Sequence, residues 1–333
     1  MKKTKWIRAA IIIAAALAVL ITGLILLKQD EEKQYQEVRG TMSEGFGQLK
    51  TVEINGKKYR EKPAVTTLLI AGIDKTDAET NATAKNYRNG GQADFLILLA
   101  IDHTDRKIHQ MQIDRDTMTE VVTLGIFGNE AGTRVQQICL AHAYGLTPED
   151  NAKYTIRAVQ NLLSGIEIDG YYMVDYSAVP VLTDALGGVP VKIEFDMTSV
   201  NPEWKQGSSV TLRGKEAETF VRTRKTIGEG TNEERMVRQG EFMRSAINRM
   251  RQKINNDIGY AETLVETLQG LSVTNMTTKR LAEELKEIHG YEVLPVDHPA
   301  GEYTIGSDGF VEFHMQDGAA VEWVLEHLFS ETK

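Results

Sequence analysis

Thr66-Thr67-Leu68-Leu69-Ile70-Ala71-Gly72-Ile73-Asp74 is the stretch whose reading decides the fold. A short apolar run with β-branched members, closed by a carboxylate, suits a strand buried on both faces. Working outward, a polar segment rich in Gly and Asn (77–91) precedes a second buried strand, Phe95-Leu96-Ile97-Leu98-Leu99-Ala100-Ile101. Residues 107–113 read as a third strand, with His103-Thr104-Asp105-Arg106 as the hairpin turn before it. Helical patterns follow at 136–144 and at 148–164, the second with Pro148 in its first turn. Another at 177–186 is closed by Gly187-Gly188, a C-terminal cap, before an alternating strand at 189–195. Further helices are expected at 215–222, 234–251, 258–268, 278–288 and 319–329, and strands at 292–296 and 309–315. Strands interleaved with helices predict an α/β domain over 65–333, a three-layer α/β/α sandwich around a central mixed, twisted sheet.

Upstream, residues 28–64 are polar apart from a strand-like piece at 52–54, and read as a stalk or accessory segment. Residues 9–27 carry no charge and are apolar except for Thr22 and Gly23. At ~1.5 Å per residue they span ~28 Å, about the thickness of a bilayer core, which predicts one transmembrane helix. Lys2, Lys3, Lys5 and Arg8 precede it and Asp30, Glu31 and Glu32 follow, so 1–8 is expected as a cytoplasmic tail and the rest outside the cell. Against a cleaved signal peptide, Ala14, Ala15, Ala16 and Ala18 sit mid-stretch and not at its exit. The 333 residues carry a net charge of −9 and one cysteine, which argues against nucleic-acid binding and leaves no intrachain disulfide.

If the first three strands form an up-down-up meander, Asp74, Asp94, Arg115 and Asp116 fall at one edge of the sheet. A second cluster lies between Arg213 and Arg251, where eight Arg and two Lys face six Glu, a net of +4 within an acidic chain. Arg222 and Arg224 point the same way if their segment is extended. Arg235, Arg238 and Gln239 are spaced i, i+3, i+4 on a helix. Arg235 and Gln239 lie on the arc of Phe242, Met243, Ala246 and Met250, with Glu241 and Arg244 opposite. A guanidinium on the apolar side needs an anionic partner, either an internal carboxylate or a ligand. Arginine forks suit phosphate, and a pair of carboxylates suits Mg²⁺ completed by water and phosphate oxygens. Together they read as a diphosphate site with a metal. No His-Glu-x-x-His, Gly-x-Ser-x-Gly or Walker A sequence is present, and Cys139 reads as core.

The ordered set of segments resembles the LytR-CpsA-Psr family of membrane-anchored cell-wall glycopolymer ligases. Its carriers are Leu68-Leu69-Ile70-Ala71-Gly72-Ile73-Asp74, Ala93-Asp94-Phe95-Leu96-Ile97-Leu98 and Ile113-Asp114-Arg115-Asp116-Thr117, then Asp175 and Asp184-Ala185-Leu186-Gly187-Gly188-Val189. Phe220-Val221-Arg222-Thr223-Arg224 and Arg235-Met236-Val237-Arg238-Gln239 complete it. The resemblance implies transfer of a glycopolymer phosphate from a polyprenyl-diphosphate carrier to a peptidoglycan hydroxyl, at the outer face of a Gram-positive cell membrane. It further implies Mg²⁺ (or Mn²⁺) at Asp74 and Asp94, which with Arg115 and Asp116 would form the catalytic set. Arg115, Arg222, Arg224, Arg235, Arg238 and Gln239 would hold the diphosphate, and an apolar pocket the prenyl chain. A non-catalytic polyprenyl-diphosphate binding protein with this fold is the other reading. The sequence departs from the family pattern at Gln92 (Arg), Asp114 (Pro), Gln137 (Lys), Cys139 (Asn) and Asn232 (an acid).

Overall fold

The computed structural model describes residues 51–54, 56–75, 90–125, 128–224 and 227–332. The expected cytoplasmic tail and transmembrane segment lie outside the described residues, as does most of the polar stretch 77–91. Among the described residues no helix is long and apolar enough to cross a membrane.

The strands run in chain order as β1 (Thr51–Ile54), β2 (Lys57–Glu61), β3 (Val65–Asp74), β4 (Gln92–Asp102) and β5 (Lys107–Ile113). After them come β6 (Met118–Leu124), β7 (Glu130–Gln137), β8 (Gly170–Asp175), β9 (Val189–Lys192), β10 (Ser209–Leu212) and β11 (Ser272–Thr274). The last four are β12 (Glu292–Asp297), β13 (Gly301–Ile305), β14 (Val311–Met315) and β15 (Phe329–Thr332). The helices are α1 (Pro148–Leu162), α2 (Ala178–Ala185), α3 (Gly214–Arg222), α4 (Asn232–Asn256), α5 (Tyr260–Leu268), α6 (Thr278–Ile288) and α7 (Ala319–Leu328).

The result is a mixed α/β fold on a central six-stranded sheet of order β11-β8-β3-β4-β5-β12. β3, β4 and β5 form the expected antiparallel meander, while β8 joins β3 and β12 joins β5 in parallel. β4 runs through the middle and is buried from Ala93 to Asp102, as its unbroken apolar run requires. On one face Phe95, Ile97, Leu99 and Ile101 pack with Met243 of α4 and Ile288 of α6. Leu96, Leu98 and Ala100, with opposite pleat, are fully buried too. A separate core cluster joins β9, β10 and the helices α2 to α4 through Leu186, Val191, Leu212, Phe220 and Phe242.

Three local expectations are corrected. The helix expected at 136–144 is the end of β7 followed by a short 3-10 helix, Ile138–Ala143. Gln136 and Gln137 are held instead by the β6–β7 ladder, opposite Thr119 and Met118. Arg222 does not lie in an extended segment: it is the last residue of α3. The final helix stops at Leu328, and the chain turns into β15, which pairs with β2. The glycine cap after α2 is as expected: Gly187 and Gly188 have φ of 75° and 100°. Their N–H groups bond the carbonyls of Asp184 and Thr183, each at 2.9 Å.

Candidate active site

The meander delivers Asp74, Asp94, Arg115 and Asp116 to one edge of the sheet, and a β-bulge aims the second of them. In the β3–β4 ladder Gly72 pairs Phe95 and Ile73 pairs Ala93, so Asp94 is the extra residue. Strict alternation would send Asp94 and Phe95 to opposite faces; the bulge lets both address α4. Phe95 packs with Met243 there, while Asp94 Oδ2 accepts from Arg235 Nη1 at 3.1 Å. Gly72 makes room for the kink, since a Cβ there would lie 3.2 Å from that of Phe95.

Asp94 is buried, with both oxygens bonded to arginine: Arg115 Nη1 donates to Oδ1 and Arg235 to Oδ2. The second terminal nitrogen of Arg115 goes to neutral groups, Nη2 donating to Gln92 Oε1 at 2.5 Å and to Cys139 Sγ at 3.0 Å. Arg115 Nε lies 3.3 Å from Asp116 Oδ1 without hydrogen-bond geometry. Arg222 supplies a third fork. It donates to Asp74 Oδ1 at 2.6 Å and Glu218 Oε1 at 2.8 Å, with its guanidinium 5.6 Å from the Tyr176 ring centre. Arg224 follows one residue beyond the C-cap of α3, and its charge acts on Asp116.

Desolvation sets the protonation of these groups. Burial raises the Asp74 carboxyl above its ordinary value; the Arg222 charge opposes that and Asp94 adds to it. Asp116 is pushed up to about 6 by burial first, against the pull of Arg115. The Cys139 thiol is fully buried and raised to about 12 by that burial, so it stays a neutral core thiol.

Two residues expected to hold ligand, Arg238 and Gln239, have partners within the protein. Arg238 is 2% exposed and turned away from the aspartates. Its Nη1 donates to the carbonyl of Phe220 at 3.2 Å and its Nη2 to that of Thr223, closing the C-terminal end of α3. The anionic partner expected for it is thus replaced by carbonyls, and burial lowers its pKa to about 10. Gln239 donates to the Tyr176 hydroxyl at 3.0 Å and to Val221 O at 3.3 Å, while its Oε1 is buried without a partner.

All five departures from the family pattern sit in this network, beyond Gln92 and Cys139 already met. Gln137 Nε2 donates to Asp116 Oδ1 at 3.1 Å. Asp114 and Asn232, 118 residues apart, bond each other: Asn232 Nδ2 donates to Asp114 Oδ1 at 2.8 Å. Asn232 Oδ1 in turn accepts from Arg235 Nη2 at 2.7 Å. Sequence reasoning missed Tyr176 under Arg222 and Tyr303, whose hydroxyl donates to Asp114 Oδ2 at 2.6 Å. No local motif marks either residue, because both arrive from distant elements.

Asp74 and Asp94 offer only oxygen donors, which suits a hard divalent cation. Among the described residues no group of three or more His, Cys, Asp or Glu side chains could hold a metal. Both oxygens of Asp94 and Oδ1 of Asp74 are engaged by arginine here. A cavity of ≈ 400 Å³ opens beside Ile73, with Met173 and Leu271 among its apolar lining residues. Lys75, Asp175, His142 and Asn151 also line it, so its lining is mixed.

Comparison with known proteins agrees with the fold. The model of the LytR_cpsA_psr family matches residues 26–300. A polyisoprenyl-teichoic acid–peptidoglycan teichoic acid transferase TagU of Halalkalibacterium halodurans is 32% identical over 164 residues. That alignment covers 49% of this chain and 46% of the relative, so it spans about half the length of each. A protein of the same name from Bacillus anthracis is 25% identical over 255 residues, covering 76% of this chain and 75% of its own. Among solved structures, B. subtilis TagV superposes with a TM-score of 0.59 at 22% identity, over 80% of this chain and 98% of that one.

Proposed function

This chain belongs to the LytR-CpsA-Psr family, and on that footing we propose that it is a cell-wall glycopolymer transferase. Its donor would be a polyprenyl-diphosphate-linked glycan and its acceptor a peptidoglycan hydroxyl. Relatives named as teichoic acid transferases support that class of reaction. One observation carries the reading: three arginine forks, Arg115, Arg235 and Arg222, converge on the two sheet-edge carboxylates Asp94 and Asp74.

Phosphoryl transfer asks a protein mainly for positioning and for charge stabilisation. The acceptor oxygen attacks the sugar-bearing phosphorus, the bond to the bridging oxygen breaks, and the lipid monophosphate leaves with that electron pair. The arginines hold the two phosphoryl groups in line and take up charge on their oxygens. Asp74 is the better candidate base for the acceptor proton, because it spends one oxygen on Arg222 and its carboxyl is raised by burial. Mg²⁺, when bound, would be held by Asp74 and Asp94 and would neutralise diphosphate charge. A transmembrane helix at 9–27 would keep the site beside a donor that never leaves the bilayer. Burial on both faces of β4 supports the three-layer α/β/α arrangement.

A second reading, a binding protein without turnover, is favoured by the engagement of both Asp94 oxygens with arginine. One experiment separates them. Full-length protein is incubated with a polyprenyl-diphosphate glycan, a peptidoglycan acceptor and Mg²⁺, and lipid monophosphate is measured. Release that disappears in Asp94→Ala supports the transferase; donor retained intact by folded wild type sinks it.

A further inference from the structure

Arg235 reaches Asp94 Oδ2 with Nη1 alone. Its other two nitrogens, Nε at 3.1 Å and Nη2 at 2.7 Å, both donate to Asn232 Oδ1. Asn232 stands three residues back on α4, so the amide fixes the guanidinium from within the same helix. An amide can turn either edge toward a neighbour, but only its oxygen suits a guanidinium, which carries donors alone. Asp114 makes that choice. Its Oδ1 accepts from Asn232 Nδ2 at 2.8 Å, and a carboxylate carries acceptors alone. An amide set between the two has one satisfied orientation. Asp114, Asn232 and Arg235 are all buried, where the wrong orientation would set like against like with no water to relieve it.

Asp114 is itself held by neutral donors. Oδ1 also accepts from Asp116 N at 2.8 Å, while among the described residues Oδ2 is bonded by the Tyr303 hydroxyl at 2.6 Å. Tyr303 therefore sets the rotation of the carboxylate. It arrives from β13, past the residues matched by the family model, which end at 300. Phe313 of the paired strand places its ring, with centres 4.9 Å apart, and Phe313 N fastens that strand to Asp116 O at 2.8 Å. Burial, and then the bond to Asp114 and its charge, raise the phenol's pKa, so the proton stays on Tyr303. Donors and acceptors thus alternate without a break from Tyr303 through Asp114, Asn232 and Arg235 to Asp94.

We propose that Tyr303 is a positioning residue, which acts through Asp114 and Asn232 to fix Arg235 against Asp94 and so orients that carboxylate. This role rests on the transferase reading for its meaning, but its first readout needs no turnover. Loss of the hydroxyl frees Asp114 Oδ2 and lets the carboxylate and then the Asn232 amide turn, which gives Arg235 other pairings. Arg222 bonds Asp74 and Glu218 and lies outside the chain of bonds.

The test uses the full chain in detergent, with solvent exchange of the Arg235 Nε–H proton followed by NMR. Tyr303→Phe removes the hydroxyl and keeps the ring against Phe313. Exchange at Arg235 is expected to quicken about tenfold or more, with Arg222 unchanged. Phe310→Ser, an exposed change on the same hairpin that touches none of these bonds, is expected to alter neither proton. In the lipid monophosphate assay Tyr303→Phe is expected to lower kcat about tenfold and leave the donor KM within about twofold. Asn232→Ala cuts the chain of bonds in the middle, and Tyr303→Phe is expected to lower kcat no further in that background. Unchanged Arg235 exchange in Tyr303→Phe overturns the positioning role. So does equal quickening in Phe310→Ser, or a loss of kcat that persists in full beside Asn232→Ala. The expected exchange pattern in a folded protein that releases no lipid monophosphate would leave the role standing and remove the transferase reading.

Discussion

At the scale of single residues, the site is a set of charges that neutralise one another before any ligand arrives. Asp116 is the one whose protonation the surroundings move furthest into an accessible range. Its carboxyl is raised from 3.8 to about 6, chiefly by burial. A folded-state value above the unfolded one means that the folded chain holds the proton more tightly. The associated stability is complete below about pH 4 and is lost as pH rises through about 6. Asp116→Asn should therefore flatten the fall in stability between those values. At pH 7.5 it should stabilise the protein by up to about 3 kcal/mol, the linkage equivalent of that shift. Arg115 keeps Asp94 in the variant, so the guanidinium is not stranded. Urea denaturation at pH 4.5 and 7.5 reads this directly; an identical pH difference in wild type and variant would place the shift elsewhere.

At the scale of elements, α3 and α4 are locked by a residue that the sequence presents as a ligand group. Arg238 donates to carbonyls at the end of α3, which have no helical partner of their own. Arg222 is the last residue of that helix, so the lock also fixes the fork on Asp74. Arg238→Met preserves much of the stem volume but leaves two buried acceptors without donors, at a cost of about 1–3 kcal/mol each. Thermal melting should show that loss, while diphosphate affinity per folded molecule should fall far less than in Arg222→Met. Equal loss of affinity in both would return Arg238 to the ligand set. The same element shows what sequence can and cannot reach. Helical spacing is enough to put Arg235, Arg238 and Gln239 on a buried face, since periodicity is local. It cannot say that Arg235 turns to Asp94 and Arg238 to a helix end, because those partners lie 141 and 18 residues away. The meander was legible from three apolar runs and one turn. The bulge that aims Asp94 was not, because a one-residue register shift leaves no mark in composition. The strand at 130–137 was hidden for a related reason. Glu130-Ala131-Gly132-Thr133-Arg134-Val135-Gln136-Gln137 is mostly exposed, so it lacks the apolar alternation that announces a strand.

At the scale of the whole molecule, the two ends of the described chain hold each other. β15 pairs with β2, which pairs with β1, in a three-stranded sheet separate from the central one. Lys62 reinforces the joint: its N–H bonds Leu328 O at 2.9 Å and its Nζ reaches the carbonyls of Glu326 and His327, each at 3.1 Å. Residues 51–62, expected within a polar stalk, thus clasp the end of α7. Truncation after Leu328 removes the four residue pairs of β15 with β2 and the burial of Phe329, now 7% exposed. Burial of such a side chain contributes roughly 1.5–3 kcal/mol, and β2 would become an open edge prone to pairing with another chain. The exposed Lys57–Glu331 ion pair adds little to either estimate. For a domain of this size the midpoint should drop by about 2–4 °C per kcal/mol lost. Asp74 and Asp94 belong to the other sheet, so the truncated protein, assayed below its new midpoint, should bind geranyl diphosphate as tightly as the full chain. A loss of binding larger than the loss of folded protein would mean that the terminal clasp and the arginine–aspartate edge are one cooperative unit.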